Sequence, residues 1–359
     1  MSIASLTAHA PIRVARFFPR TFDPSSTRSG RLMRSFWRRM PKSVRRRIVF
    51  LVAADALLLG FIWWRATVTG ASFADEARHI APNVAPTILA ALGQTGIICC
   101  GAMDLSVGSI LGVAGTVFGV LYARGVGPYG CFAACFLTAF GLSAYNGLLI
   151  RVLRIPAIIV TLAGLAFYRG LALILAEVAT RGFGEQFTIT GDAYHQPGLV
   201  YAGWILLAAI VFALWGECFG KTPRTWLALG NSETACRLSG LAPDRILFSA
   251  FVVGGVFLGL SALVDVTNHN TIEPARLGLG FELSVIAANV LGGTSIFGGQ
   301  GSAAGTALGG LFLYLLGPAM LYAGVSEYWR TAVQGAAILA VIGIDCALNR
   351  RRQLMEELR

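Results

Sequence analysis

Charge is what this sequence has least of. Asp, Glu, Lys and Arg make up 13% of its 359 residues, while 55% are hydrophobic. A soluble globular chain carries about twice that charged share, because its surface must face water. A soluble enzyme and a DNA-binding module are therefore excluded, and the composition is that of a polytopic membrane protein. Histidine is also scarce. His9, His79, His195 and His269 fall outside the apolar runs, and none has a partner at the spacing of a metal site or a catalytic triad. No G-x-x-x-x-G-K-[ST] stretch occurs, so the chain has no P-loop with which to hydrolyse ATP. Any pumping must draw on a partner or an ion gradient. The seven cysteines make no disulfide framework. Cys99 and Cys100 adjoin. Cys131 and Cys135 lie one helical turn apart without the His or further Cys a metal site would need. Cys218, Cys236 and Cys346 are scattered. All seven read as free thiols.

What is abundant is apolar length. A bilayer crossing takes about 20 mostly apolar residues. The clear runs are 48–64, 105–123, 129–150, 155–178, 199–217, 246–266, 303–324 and 330–348, with two shorter, Gly-broken segments at 84–101 and 284–297. The expected fold is an all-α polytopic membrane protein of about eight to ten transmembrane helices with two Gly-broken short segments. The whole net charge of +11 sits in residues 1–48, which hold 12 Lys and Arg against Asp23 alone. Such a tail could bind nucleic acid or target an organelle, but beside a span the positive-inside rule explains it better, and no nucleic-acid partner is expected. With that tail in the cytoplasm and ten crossings, the loops 151–154 and 221–245 and the C-terminal Arg350, Arg351 and Arg352 also fall inside. The loops 66–80, 180–198 and 267–282 are balanced or acidic and fall outside. Both termini are thus expected in the cytoplasm. The domains expected are a basic tail (1–47), a transmembrane domain (48–348) with a cytoplasmic loop at 218–245, and a C-terminal tail (349–359).

Glycine is frequent, 43 residues in all. Gly301, Gly305 and Gly309 recur every four residues, which lines one helix face and lets helices approach closely in lipid. A faint internal repeat relates Gly108-Ser109-Ile-Leu-Gly112 to Gly301-Ser302-Ala-Ala-Gly305. Each follows a short broken segment, a pattern that points to a transport pathway. Asp104 and Ser106 either cap or gate the first break, and Thr294 and Ser295 the second. Acids able to relay ions are few: Asp104, Glu177, Asp265 and Asp345 all fall near span ends, within reach of water or headgroups. Arg169, two-thirds along the 155–178 run, is the best-buried charge, either in a structural ion pair or lining the path. In the loop 218–245, Asn231 or Ser232 can cap a helix, Glu233 and Arg237 form an i, i+4 pair, and Gly240 suits a left-handed stop. This predicts a two-turn helix between spans, serving as a connector or as a docking element.

Five linked stretches resemble the permease subunits of sugar-type ABC importers, the ribose, xylose, arabinose and galactose group. They are Gly101-Ala-Met-Asp-Leu-Ser-Val-Gly-Ser109; Asn146-Gly-Leu-Leu-Ile with Ile155-Pro-Ala-Ile-Ile-Val-Thr-Leu162 and Arg169-Gly170; Ala228-Leu-Gly-Asn-Ser-Glu-Thr-Ala-Cys-Arg-Leu-Ser-Gly240; Gly280-Phe-Glu-Leu-Ser-Val-Ile-Ala-Ala288; and Val290-Leu-Gly-Gly-Thr-Ser-Ile-Phe-Gly-Gly-Gln-Gly-Ser302. Trp329 and Asp345 sit where that family ends its final helix. The resemblance covers about 48–348, in order. It implies a multi-pass protein of the bacterial inner membrane that binds no cofactor itself. ATP and Mg would sit on a cytoplasmic ATPase partner with two nucleotide-binding domains. It further implies a periplasmic solute-binding protein, a second copy or a related permease, and surrounding membrane lipid. Asn231, Glu233, Ala235, Arg237, Leu238 and Gly240 become the candidate ATPase-coupling residues. Asn146, Thr161 and Glu282, in the shared stretches, join Asp104, Ser106, Arg169, Thr294 and Ser295 as candidate path or gate residues. The expected solute is a monosaccharide or a similar small polar molecule. The alternative is an ion-gradient-driven carrier.

Overall fold

The computed structural model describes residues 42–70, 72–176, 180–181, 198–268 and 271–325, with isolated positions between 329 and 343. The expected last span, the C-terminal tail and most of the basic N-terminal tail lie outside the described residues. Among the described residues these helices follow one another: α1 (Lys42–Thr69), α2 (Phe73–Cys99), α3 (Val107–Ala123), α4 (Pro128–Leu153), α5 (Ala157–Leu175), α6 (Gly198–Phe219), α7 (Lys221–Asn231), α8 (Glu233–Leu238), α9 (Pro243–Asn268), α10 (Phe281–Leu291) and α11 (Ala303–Tyr322). Among the described residues the other regular element is a two-residue antiparallel ladder, β1 (Thr180–Arg181) against β2 (Thr271–Ile272).

Six of these helices, α1, α4, α5, α6, α9 and α11, are long and apolar enough to cross a membrane. The two Gly-broken segments resolve differently. The stretch 84–101 is the second part of the 27-residue α2, which already starts at Phe73, so His79 lies inside a helix, on its exposed side. The stretch 284–297 contains α10, whose 11 residues rise about 16 Å, roughly half of a hydrocarbon core of about 30 Å. The 17 residues of α3 also fall short of that thickness.

Helix α9 runs through the middle of the bundle, against α2 and α4, and small residues set how close they come. A Cβ on Gly93 would stand 2.8 Å from the Gly254 carbonyl, and one on Gly255 3.0 Å from that of Phe140. Such spacing gives tight backbone packing where lipid supplies no hydrophobic drive. Two prolines inside α2 leave carbonyls without their helical donor. Pro86 frees the Pro82 carbonyl, and the Asn268 side-chain amide of α9 donates to it. Ser261 donates to the Pro86 carbonyl at 2.8 Å.

Helix α1 runs parallel to α11. Arg47 donates to Val290 at the end of α10, Ile62 meets Leu315 and Ala319, and Arg65 donates twice to the Tyr322 carbonyl. The start of α1, the ends of α2, α4, α6 and α10, the starts of α5, α9 and α11, and all of α7 and α8 therefore gather at one end of the bundle.

The buried charges differ from those expected. Asp104 is not reached by water or headgroups: it is 0% exposed, because the chain break that carries it turns back into the bundle. Midway along α1, Asp55 is 4% exposed, and neither of its carboxylate oxygens has a hydrogen-bond partner among the described residues. Nothing in the sequence marks Asp55, since one acid in a long apolar run does not reveal which way it faces.

Candidate functional site

The first break follows α2. Gly101, at φ +80°, ends that helix: its N–H bonds to the Ile98 carbonyl, and the Ala102 N–H reaches back to Ile97. The chain then runs without helical bonds to Ser106, and side chains from three helices satisfy it. Gln94 of α2 donates to the Asp104 carbonyl at 3.0 Å, and Thr161 of α5 to the Met103 carbonyl at 3.2 Å. A directed relay runs through the break. Tyr168 Oη donates to Asn146 Oδ1 at 2.7 Å, Asn146 Nδ2 to Ser106 Oγ at 2.8 Å, and Ser106 Oγ to Asp104 Oδ1 at 2.6 Å. Asp104 Oδ1 also accepts the Ser106 N–H at 2.8 Å. Asp104 thus secures the start of α3, while Ser106 makes no side-chain cap. All four relay residues are buried.

The second break, 292–302, follows α10, and here the expected residues are not the ones that cap. Ser302 caps α11, its Oγ accepting from the Gly305 N–H, while Glu217 of α6 accepts the Ala303 N–H at 3.0 Å. Thr294 and Ser295 bond through their backbones instead, to Asn289 and Gln300. The polar centre beside this break was not foreseen. Asn289 Oδ1 accepts from Thr95 at 2.8 Å and from Thr306 at 3.2 Å, and its Nδ2 donates to the Ala91 and Val285 carbonyls, both at 3.0 Å. Both donors and both acceptor sites of the amide are used. The two Gly-Ser repeats sit in different registers: Gly108 and Ser109 are the second and third residues of α3, whereas Gly301 and Ser302 precede α11. Gly305 and Gly309 do form the expected close face, against Gly292 and the Ala288 carbonyl of α10.

Arg169 makes no ion pair among the described residues. It donates to the Leu277 carbonyl at 2.7 Å and the Pro274 carbonyl at 3.3 Å. It thereby holds the 273–280 turn against α3, where Gly108 leaves room for the Gly278 carbonyl and Glu282. This turn, expected as part of an outer loop, folds back into the bundle through buried Ile272 and half-buried Leu277 and Phe281.

Helix α8 has six residues rather than two full turns. Ser232, not Asn231, caps it, accepting from the Ala235 N–H at 3.2 Å. Arg237 donates to Glu233 at 2.6 Å, and that bond holds the guanidinium pKa above its ordinary value. Gly240, at φ +76°, stops the helix, with the Leu241 N–H bonded to the Cys236 carbonyl and the Gly240 N–H to that of Arg237. Glu233, Ala235, Arg237, Leu238 and Gly240 stand exposed, Leu238 at 85%. Cys236 alone turns inward, to Ile97, Trp226 and Leu229.

Just before α8, three backbones meet. A Cβ on Gly230 would lie 2.0 Å from the Cys99 carbonyl and 2.4 Å from the Gly299 N. The Gly299 N–H donates to Cys99 at 3.0 Å, and Asn231 Nδ2 donates to the Gly299 carbonyl at 3.2 Å. Gly298 abuts Gly101. The end of α7 therefore touches both breaks at once.

A family profile described as the permease component of a branched-chain amino acid transport system matches residues 79–342. The chain belongs to that permease family. The permease is 33% identical to the autoinducer 2 import system permease protein LsrC of Photorhabdus laumondii over 273 residues, 73% of this chain and 80% of the relative. It is 33% identical to LsrC of Escherichia coli K12 / DH10B over 279 residues, 74% and 79% of the two chains. It is 30% identical to the ribose import permease protein RbsC of Escherichia coli K12 over 271 residues, 74% and 84%. The match and the apolar helices make the permease a multi-pass inner-membrane transport subunit. The Asp104–Ser106 turn and the exposed helix of the permease were legible in the Asp-Leu-Ser and Glu-Thr-Ala-Cys-Arg-Leu stretches, whereas Tyr168, which starts the relay, carries no such mark. The glycine joint and the Asn289 centre were not legible, because they bring together stretches far apart in the chain, 68 positions for Asn231 and Gly299 and 194 for Thr95 and Asn289.

Proposed function

We propose that this permease is the transmembrane subunit of a binding-protein-dependent importer that carries a monosaccharide or similar small polar solute, driven by ATP hydrolysis on a separate subunit. The observation that carries the reading is the joint between α7 and the two chain breaks. A partner that grips exposed α8 moves the end of α7, and Gly230 and Asn231 pass that movement to Cys99–Gly101 and Gly298–Gly299 together. The two breaks then tilt α3 and α11 and open or close a path between them and a second permease copy or a related permease. The partner at α8 is a cytoplasmic ATPase with two nucleotide-binding domains, which holds ATP and Mg. A periplasmic binding protein delivers solute at the opposite end. Charge supports this orientation: Arg46, Arg151, Arg154, Lys221, Arg224 and Arg245 stand exposed at the α8 end. The import of ribose and of autoinducer 2 named for the relatives supports a sugar-like solute over an amino acid.

The buried acids Asp55 and Asp104 favour a second reading, a carrier driven by an ion gradient. Gentle purification of the tagged chain from its native membrane decides between them. Co-purification of an ATPase in fixed ratio, with solute uptake lost in Arg237→Ala, supports the importer. Uptake that follows an ion gradient with no ATPase bound replaces it with the second reading.

A further inference from the structure

A half-open cavity of about 260 Å³ lies under α7, walled by α2, α6, α9 and the start of α11. Its lining is almost wholly apolar, with Leu92, Phe212, Trp215, Val253 and Phe257 as the main side chains. The one carboxylate in it, Glu217, is already engaged by the Ala303 N–H. A small polar solute would find almost nothing to bond to. The cavity opens beside α6, the least covered of the six crossing helices, where Phe212 and Trp215 are exposed at membrane depth. Above the mouth runs α7, an amphipathic helix that buries Trp226 and Leu229 and exposes Lys221 and Arg224. Arg224 donates to the Cys218 carbonyl at 2.9 Å, which fixes its guanidinium beside the end of α6. An apolar slot at acyl-chain depth under two cations at headgroup depth matches one occupant in charge and polarity.

The geometry points to a binding site for an anionic glycerophospholipid, its phosphate on Lys221 and Arg224 and one acyl chain between α6 and α9. The inner wall includes Cys99, Gly301 and Ser302. The chain end therefore lies against the joint where α7 meets the two breaks, and the lipid holds α6 and α11 in one arrangement. This rests only on the chain's place in a membrane, not on its solute or energy source.

The test uses the full-length protein in phosphatidylcholine nanodiscs containing a minor fraction of phosphatidylglycerol brominated on its acyl chains. Bromine quenches nearby tryptophan, and the quenching lost in Trp215→Phe is the cavity signal. Brominated phosphatidylglycerol should quench that signal at about twentyfold lower mole fraction than brominated phosphatidylcholine. The preference should fall about fivefold in each of Lys221→Gln and Arg224→Gln. Gly216→Leu should abolish the preference and leave only the quenching of exposed Trp215 by annular lipid, equal for both lipids: Gly216 lines the cavity, and its nearest neighbour to an added Cβ is 4.0 Å away. Equal quenching by both lipids, or a preference unchanged in the Gln variants, overturns the proposal and leaves an ordinary lipid annulus. Should Gly216→Leu fail to fold, the wild-type lipid comparison and the Gln variants still decide.

Discussion

Tyr168, Asn146 and Ser106 donate in one direction, toward the terminal acceptor Asp104, and Asn146 is the member that neither neighbour can do without. Asn146→Leu strands the Tyr168 hydroxyl and removes the donor to Ser106. Tyr168→Phe only frees one acceptor on Asn146. A buried polar group left unpaired costs about 1–3 kcal/mol. Asn146→Leu should therefore lower stability by about 3 kcal/mol and Tyr168→Phe by about 1 kcal/mol. The double variant should cost less than the sum, since the stranded hydroxyl is gone. Thermal unfolding in one detergent checks this, and strict additivity would mean that the relay carries no coupling. At this scale the sequence is clear where the structure is local. Asp104 and Ser106 are two residues apart, and their turn needs nothing remote. Asn289 looks like any polar residue in an apolar stretch until Thr95 and Thr306 arrive from other helices.

Among the elements, α8 depends on local signals and the joint beside it on distant ones. Ser232, Glu233, Arg237 and Gly240 start and stop α8 by chemistry visible within nine residues. Its position comes from inward-facing Cys236. Burial, with Glu233 nearby, pushes that thiol above its ordinary pKa. A raised pKa means less thiolate at a given pH, so Cys236 should alkylate slowly near neutrality and faster as pH rises. Peptide mapping after maleimide treatment reads this. Gly230→Ala, which forces a methyl into the Cys99 and Gly299 backbones, should speed Cys236 labelling and cost about 1–3 kcal/mol. Unchanged labelling in Gly230→Ala would separate α8 from the joint.

Among the described residues, the six helices long and apolar enough to cross a membrane were visible as apolar runs because hydropathy summed over twenty residues is a strong signal. Burial of one side chain within a run is not. Asp55 shares an α1 face with Ile48, Leu51 and Ile62, a periodicity that becomes meaningful only once that face is known to be covered. A buried carboxylate without partners works against folding. Asp55→Leu should therefore raise the unfolding midpoint, by roughly 1–3 kcal/mol of added stability. A lower midpoint would mean that the carboxylate has a partner in the membrane. If Asp55→Leu is more stable yet fails to transport, the acid is retained for function, and the gradient-driven reading gains its proton or ion site.

The joint of Gly101, Gly230, Gly298 and Gly299 has a mechanical consequence. Contacts between side chains carry slack, because rotamers can turn before the backbone moves. Where main chains touch with no Cβ between them, that slack is missing. A displacement entering at the end of α7 reaches both breaks at full amplitude and at the same moment. The two chain breaks therefore cannot move out of step.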